Sequence, residues 1–333
     1  MSANPLISVI IAVYNGAKYI RKAVESVLEQ TYQPVEIVIV DDGSTDNIRE
    51  VLEPFIAKSL VRYVRQANAG HGEARNNGIR QSRGEYLCFL DHDDWLEKDA
   101  LRQRLEVHAR YPHLGLAFTD FRMAYDAGAQ GITYRDSTMK QYRCIERLPA
   151  DAISARDGHV CVFNQRVLTD LIVDCFIWVG TVMIPRRVLD EVGVFDGRFK
   201  CSPDHDLFIR IVRRFEIGFT DAITAAYFQH TSNMSLGMVL LDEAVRIRTD
   251  TLSAQHEMAD GDRRRVRASI ADYCARRAQV LIRDGRRESA RRDAIRGLKF
   301  DPRCARLYKY FLLAAMPQPI VSALRRVRRV ASS

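Results

Sequence analysis

The 333-residue chain has seven cysteines and no CxxC pair among them. An odd count at wide spacing gives neither a zinc pattern nor a disulfide framework. The thiols are expected to be reduced and mostly buried, as in a cytosolic protein. No run of 18 apolar residues occurs. The nearest stretch, LIVDCFIWVGTVMIP, contains Asp174 and ends at Pro185, which marks buried core and not a membrane span. The opening MSANP leads directly into strand-like sequence, so no signal peptide is expected. No GxGxxG follows the first apolar run. VYNGAK stands there instead, which argues against a nicotinamide dehydrogenase. His71, His92 and His205 have no HExxH partner, so no zinc site is expected. No nucleic-acid-binding motif is recognisable.

The charge is unevenly divided. From Gly261 to the end there are 20 Lys/Arg against 6 Asp/Glu, a net of +14. The whole chain has 50 and 42, so the first 260 residues hold 30 and 36, a net of −6. An acidic body carries a basic C-terminal region.

The first 120 residues alternate between two patterns. Strand-like apolar runs lie at 7–13, 35–40, 60–65, 86–90 and 115–120. Helical spacing occupies 17–30, Thr45–Ile56, 72–82 and 98–110. This alternation predicts an α/β fold with a parallel sheet covered on both faces. Such sheets bind ligands beyond the carboxyl ends of their strands. The stretch 121–176 is irregular, and short strands, short helices and loops are expected there. Regularity returns over 177–230. From about 238 to 330 the sequence reads as helix, with a helical hairpin turning at Gly285 and stopping at Pro302.

Acidic residues fall where two strands end. Asp41 and Asp42 follow VEIVIV, and Asp91, Asp93 and Asp94 follow YLCFL. In extended backbone Asp91 and Asp93 share a face while His92 points away. Paired carboxylates suit a hard cation such as Mg²⁺ or Mn²⁺, which also bridges substrate phosphates. The same residues also suit an acidic turn that caps the helix near Lys98.

Five stretches in order carry a resemblance: VIIAVYNGAKYIRKAVESVLEQTY, VEIVIVDDGSTDN, NAGHGEARNNGIRQSRGEYLCFLDHDDW, VGVFDGRFKCSPDHDLFIRI and AAYFQHTSNMS. Over roughly residues 6–235 the chain resembles the family 2 glycosyltransferases of the GT-A fold. The resemblance implies a Rossmann-like, mostly parallel sheet flanked by helices over 1–237. Residues 1–120 form its nucleotide half and 121–237 its acceptor half. A basic helical region, 238–333, follows. It also implies a nucleotide-diphosphate sugar donor, UDP-linked, and a divalent Mn²⁺ or Mg²⁺.

Position by position, the resemblance places Ala12, Tyr14 and Asn15 at the nucleoside, and Asp42 at the base. Arg75 approaches the diphosphate, and Asp91 and His92 border the nucleotide. Asp93, with Asp91 or Asp94, holds the metal, and His230 touches the metal or diphosphate. In SPDHDLFIRI, where the family has EDxxLxxR, Asp204 is the base, with Asp206 beside it as the alternative. Asp204 also fits a helix N-cap. Trp178, Gly180 and Thr181 line the acceptor floor, although Trp178 also reads as core.

The implied reaction is a single displacement with inversion onto an acceptor hydroxyl, in cell-surface polysaccharide or glycolipid synthesis. The alternative is a catalytically silent nucleotide-sugar-binding or membrane-associated scaffold. The absence of QxxRW and of membrane spans argues against a processive synthase. Tyr308, Tyr310, Phe311, Leu312 and Leu313 precede Arg325, Arg326, Arg328 and Arg329. This segment is expected either to meet an anionic membrane at the inner face of the cytoplasmic membrane or to pack as a helix with solvated arginines. The expected partners are the donor and a carbohydrate or lipid-linked acceptor, with no nucleic acid.

Overall fold

Runs rich in valine and isoleucine become four neighbouring parallel strands. They are β1 (Ile7–Val13), β2 (Val35–Asp41), β3 (Arg62–Arg65) and β4 (Tyr86–Asp91), in the spatial order β3-β2-β1-β4. Every residue of β1 is buried, as a strand covered on both faces requires. The structure, a computed structural model, describes residues 4–128, 131–136, 145–230, 237–254 and 258–316. The helices between these strands are α1 (Ile20–Leu28), α2 (Ile48–Ala57) and α3 (His71–Gln81). On α1, Ile20, Ala23, Val24 and Val27 are buried, a single stripe at helical spacing.

Two helices start later than their sequence pattern predicts. Ala17 donates its N–H to Asp46, and Gly16 O accepts from Tyr19 and Ile20. Thr45 donates its N–H to Asn15 Oδ1. Backbone that the periodicity assigns to helix is therefore held by the loops at the strand ends.

The sheet continues with β5 (Trp95–Leu96), β6 (Leu116–Asp126), β7 (Ile132–Asp136), β8 (Ile153–Asp157), β9 (Val160–Phe163), β10 (Val182–Pro185) and β11 (Ile217–Gln229). The order runs on from β4 as β10-β6-β11-β9-β8. The β6–β11 pair is parallel, whereas β10 lies antiparallel between β4 and β6. The parallel sheet expected from the sequence thus holds in the first half, and the second half adds antiparallel pairs. Strand β6 extends to Asp126, past the expected end at 120, because it has partners on both sides, β11 and β7. The remaining helices of this unit are α4 (Ala100–Arg110), α5 (Leu168–Val173), α6 (Arg186–Val192) and α7 (Pro203–Val212). The apolar run before Pro185 is core, with Leu171, Ile172, Val182, Met183 and Ile184 fully buried.

Residues Met1–Asn233 and Met234–Ser333 form two compact units. The second contains α8 (Met238–Ala254), α9 (Asp260–Arg283), α10 (Arg287–Phe300) and α11 (Ala305–Ala315). The expected hairpin turns at Gly285, whose φ of 77° lies in the left-handed region. Arg277 of α9 pairs with Asp242 of α8 and, at 3.1 Å, with Asp293 of α10. Tyr310 is buried and donates to Gln279 Oε1, which for this residue fits the packed-helix alternative. Tyr308 and Leu312 are exposed. Arg325, Arg326, Arg328 and Arg329 lie outside the described residues. Among the described residues no helix is long and apolar enough to cross a membrane. Of the cysteines, Cys88, Cys161 and Cys274 are buried free thiols, Cys175 is exposed, and Cys144 lies outside the described residues.

Helix α3 packs closely on β1. A Cβ built at Gly78 falls 2.3 Å from Ile10 Cγ2. Overpacking there costs about 1–3 kcal/mol, against a helix-propensity gain of about 1 kcal/mol. Gly78→Ala is therefore expected to lower the thermal midpoint. Gly261→Ala, where a Cβ meets nothing, is expected to leave the midpoint unchanged or raise it.

Candidate functional site

The sheet reverses its order at β1, with β2 on one side and β4 on the other. Val13 lies opposite Asp41, and Ala12 lies opposite Asp91. The two acidic clusters therefore flank the end of β1, and three strand-end loops form one crevice. These loops are cross-linked. Asn15, in the left-handed region at φ 53°, donates its N–H to Ser44 Oγ and accepts from Thr45. Tyr14 is exposed beside it, whereas Ala12 is buried in the strand.

Asp41 is buried and accepts from Ser44 N and Tyr63 Oη. Burial works to raise its carboxyl, but these bonds outweigh it and hold the group below its usual range. Burial and the bond to Asp41 push Tyr63 up to about 12. Asp42 is also buried. Its Oδ1 accepts from Gln66 Nε2 and Ala69 N, and its Oδ2 from Gly70 N at 2.8 Å. A carboxylate offers about four acceptor sites, so three bonds leave Asp42 one further acceptor site on Oδ2. The first duty of Asp42 is to hold the loop leading into α3.

Arg75 on α3 is 2% exposed. Its Nη2 donates to Asp91 Oδ1 at 2.6 Å, and its buried Nη1 has no hydrogen-bond partner among the described residues. Burial acts to raise Asp91, but the Arg75 guanidinium outweighs it and lowers the carboxyl. His71, at the start of α3, is lowered to about 4 by burial and then by Arg75. It is a neutral imidazole at pH 7, and its buried Nε2 has no hydrogen-bond partner among the described residues.

Residues 91–94 form a turn, closed by the Asp94 N–H donating to Asp91 O at 3.1 Å. The expected strand-like alternation of Asp91 and Asp93 therefore fails after Asp91. His92 turns onto the β1 loop, where a Cβ at Gly16 would lie 2.2 Å from His92 Cδ2. Asp93 Oδ2 lies 2.8 Å from His230 Nε2, and the His230 ring stacks on Tyr19 at 4.9 Å. Asp94 is buried, and its Oδ1 accepts from Phe228 N. Its Oδ2 has no hydrogen-bond partner among the described residues. Burial, then the charges of Asp93 and Asp91, pushes the Asp94 carboxyl well above the usual range.

Asp204 opens α7 directly after Pro203, a favoured helix start. Burial raises its carboxyl. Arg75 acts to lower it and Asp91 to raise it, so Asp204 shares the field of the crevice. Asp206 instead pairs with Arg210 at 2.9 Å, and Arg210 also donates to Val192 O and Val194 O. Asp206 is thereby committed to fixing the segment after α6. Trp178 packs against Phe121 and Tyr227, with centroids at 4.8 and 5.1 Å. Thr181 is buried and donates to Trp178 O. Gly180 is also buried, and a Cβ there would lie 2.6 Å from the indole. Of the three acceptor-floor residues, Gly180 and Thr181 set the position of Trp178 and do not form a surface of their own.

Among the described residues no three His, Cys, Asp or Glu side chains converge as a metal cluster. Asp93 and His230 nevertheless form an adjacent oxygen and nitrogen pair. That fits a divalent cation held by two protein donors and completed by substrate phosphate and water. Asp91 is engaged by Arg75, and Asp94 by the backbone of β11.

Two contributors were not singled out by their sequence context. Gln66 follows β3 directly and orients Asp42, and its Oε1 accepts from Asn77. Asn76 binds the backbone of Phe195 twice. Its place beside Arg75 was the only available signal.

Residues 8–171 match the model of glycosyl transferase family 2. An uncharacterized glycosyltransferase of Rickettsia felis is 31% identical over 219 residues, 66% of this chain and 33% of that protein. Glycosyltransferase GlyG of Streptococcus pneumoniae is 32% identical over 195 residues, 58% of this chain and 61% of that protein. The chain thus spans less than two thirds of the length of these relatives. Among solved structures, Staphylococcus aureus TarS 1-349 in complex with UDP-GlcNAc aligns with a TM-score of 0.61 at 15% identity, covering 96% of this chain and 91% of that one. The mannosyltransferase PcManGT of Pyrobaculum calidifontis, in complex with GDP-Man and Mn²⁺, aligns with a TM-score of 0.61 at 14% identity, covering 100% and 82%. At such identity the likeness is one of fold, and it is the GT-A arrangement expected from the sequence. Residues 8–171, with the sheet they build, are thus a glycosyl transferase family 2 domain.

Proposed function

We propose that the protein transfers a sugar from a nucleotide-diphosphate donor, in its UDP form, to an acceptor hydroxyl with inversion. The observation that carries this reading is the buried Arg75. Its Nη2 is spent on Asp91, its Nη1 has no hydrogen-bond partner among the described residues, and its charge reaches the raised carboxyl of Asp204. A guanidinium with an unused donor matches a phosphate oxygen. A carboxyl raised by burial suits a general base. TarS and PcManGT, which share the fold, were solved with nucleotide sugars.

Asp204 takes the proton of the acceptor hydroxyl as its oxygen attacks the anomeric carbon. The bond from that carbon to the diphosphate breaks on the opposite face, and its electron pair leaves with the diphosphate. Arg75 and the N-terminus of α3 face the developing negative charge. Asp42, with one acceptor site left, receives an N–H of the base. A divalent cation bound at Asp93 and His230 would supply further neutralisation of the diphosphate. No second carboxylate nucleophile is required. The acceptor is a carbohydrate or lipid-linked hydroxyl of cell-surface polysaccharide or glycolipid synthesis. The C-terminal arginines hold the protein on an anionic membrane surface.

Asp204→Asn is expected to reduce sugar transfer at least about 100-fold while UDP affinity by calorimetry stays within twofold. Full turnover in that variant would remove Asp204 as the base. Asp204 must be ionised to accept a proton, and burial raises its carboxyl. The kcat/KM profile should therefore rise with pH through a limb above the ordinary carboxylate range. Asp204→Asn should lose that limb. Chelation should suppress turnover and Mn²⁺ or Mg²⁺ should restore it. Asp93→Ala should weaken the metal response and leave the fold intact by circular dichroism. Removal of residues 317–333 should abolish salt-sensitive cosedimentation with phosphatidylserine vesicles and spare donor hydrolysis.

A further inference from the structure

The segment that carries Asp204 is fastened along α3, the helix that carries Arg75. Asn76 Nδ2 donates to Phe195 O at 2.8 Å, and Phe195 N donates to Asn76 Oδ1 at 3.0 Å. Both ends of one buried amide are thus bonded to one residue of the segment, 119 positions away. The Phe195 ring meets Phe89 of β4 edge-on at 5.0 Å and lies under the Arg75 guanidinium at 5.5 Å. Further contacts continue toward Asp204. A Cβ at Gly197 would collide with the Glu73 side chain, His71 bonds the Lys200 backbone, and Gly72 lies against Pro203. The segment from Phe195 to Pro203 therefore runs antiparallel to the first turns of α3 and delivers Asp204 into the crevice.

We infer that Asn76 is a positioning residue that sets the distance between the base Asp204 and the diphosphate-binding Arg75. This rests on the functional reading above. In-line displacement requires the attacking and leaving oxygens on opposite sides of one carbon, so the two side chains must keep a fixed spacing. Hydrophobic contact alone would let the segment slide along α3. Paired amide bonds fix it in one register, because each end of the side chain accepts only one polarity. Asn76 touches neither reacting group and acts through Phe195.

Asn76→Ala tests this by steady-state kinetics, UDP calorimetry and hydrogen exchange. The expected result is a fall in kcat of about 10- to 100-fold, because a displacement near 1 Å carries such a penalty. Donor KM and UDP affinity should stay within twofold, and amide exchange should accelerate over residues 193–203. Asn76→Ser, a smaller change, should give the same pattern if Asn76→Ala does not fold. Unchanged kcat with unchanged exchange overturns the inference. So does a parallel loss of kcat and UDP affinity, which would put Asn76 in the nucleotide pocket. Accelerated exchange in a protein whose wild type turns over no donor supports the clasp and defeats the functional reading instead.

Discussion

The ion pair between Arg75 and Asp91 organises the crevice. A guanidinium 2% exposed to solvent carries a desolvation penalty of several kcal/mol. One carboxylate at 2.6 Å answers only part of it, since Nη1 has no hydrogen-bond partner among the described residues. A buried donor left open costs about 1–3 kcal/mol, and a ligand anion would recover that energy. The pair also joins α3 to the end of β4. The helix N-terminus, with neutral His71 beside it, is thus held at the mouth of the strands before any ligand arrives.

The acidic turn after β4 raises an electrostatic problem that the fold answers three different ways. Asp91 is ionised against Arg75, Asp93 meets His230, and Asp94 is pushed toward its neutral form by burial and by its two neighbours. The turn therefore does not need a cation to exist. His92, the residue between the first two acids, packs against Gly16. Its ring occupies the space a side chain at position 16 would fill, which explains a glycine there.

The sequence made the strands legible, along with the acids at their ends, because fully buried parallel strands read as continuous apolar runs. It misplaced the starts of α1 and α2, since amphipathic spacing cannot reveal that Ala17 and Thr45 spend their N–H groups on Asp46 and Asn15. Alternation misjudged residues 91–94, because a turn obeys no two-residue period. Tyr310 stood open between a membrane contact and a packed helix, because helical spacing gives a face but not what covers it. The partners of Asn76 and Asp42 lie across the fold, and a side chain bonded to distant backbone leaves no periodic signal.

The choice between Asp204 and Asp206 shows what backbone geometry adds to a motif. Two positions apart on an α-helix means a rotation of about 200°, so their side chains leave α7 on nearly opposite sides. One can face the crevice and the other cannot. Asp206 takes the outward side with Arg210, which ties it to the backbone after α6. Asp204 takes the side where Arg75 and Asp91 act on it, and burial there raises its proton affinity. On the proposed reading, a motif with two acids thus divides into an anchor and a base. The anchor holds the stretch that Asn76 grips from the other side, so the carboxylate outside the crevice helps to place the one within it.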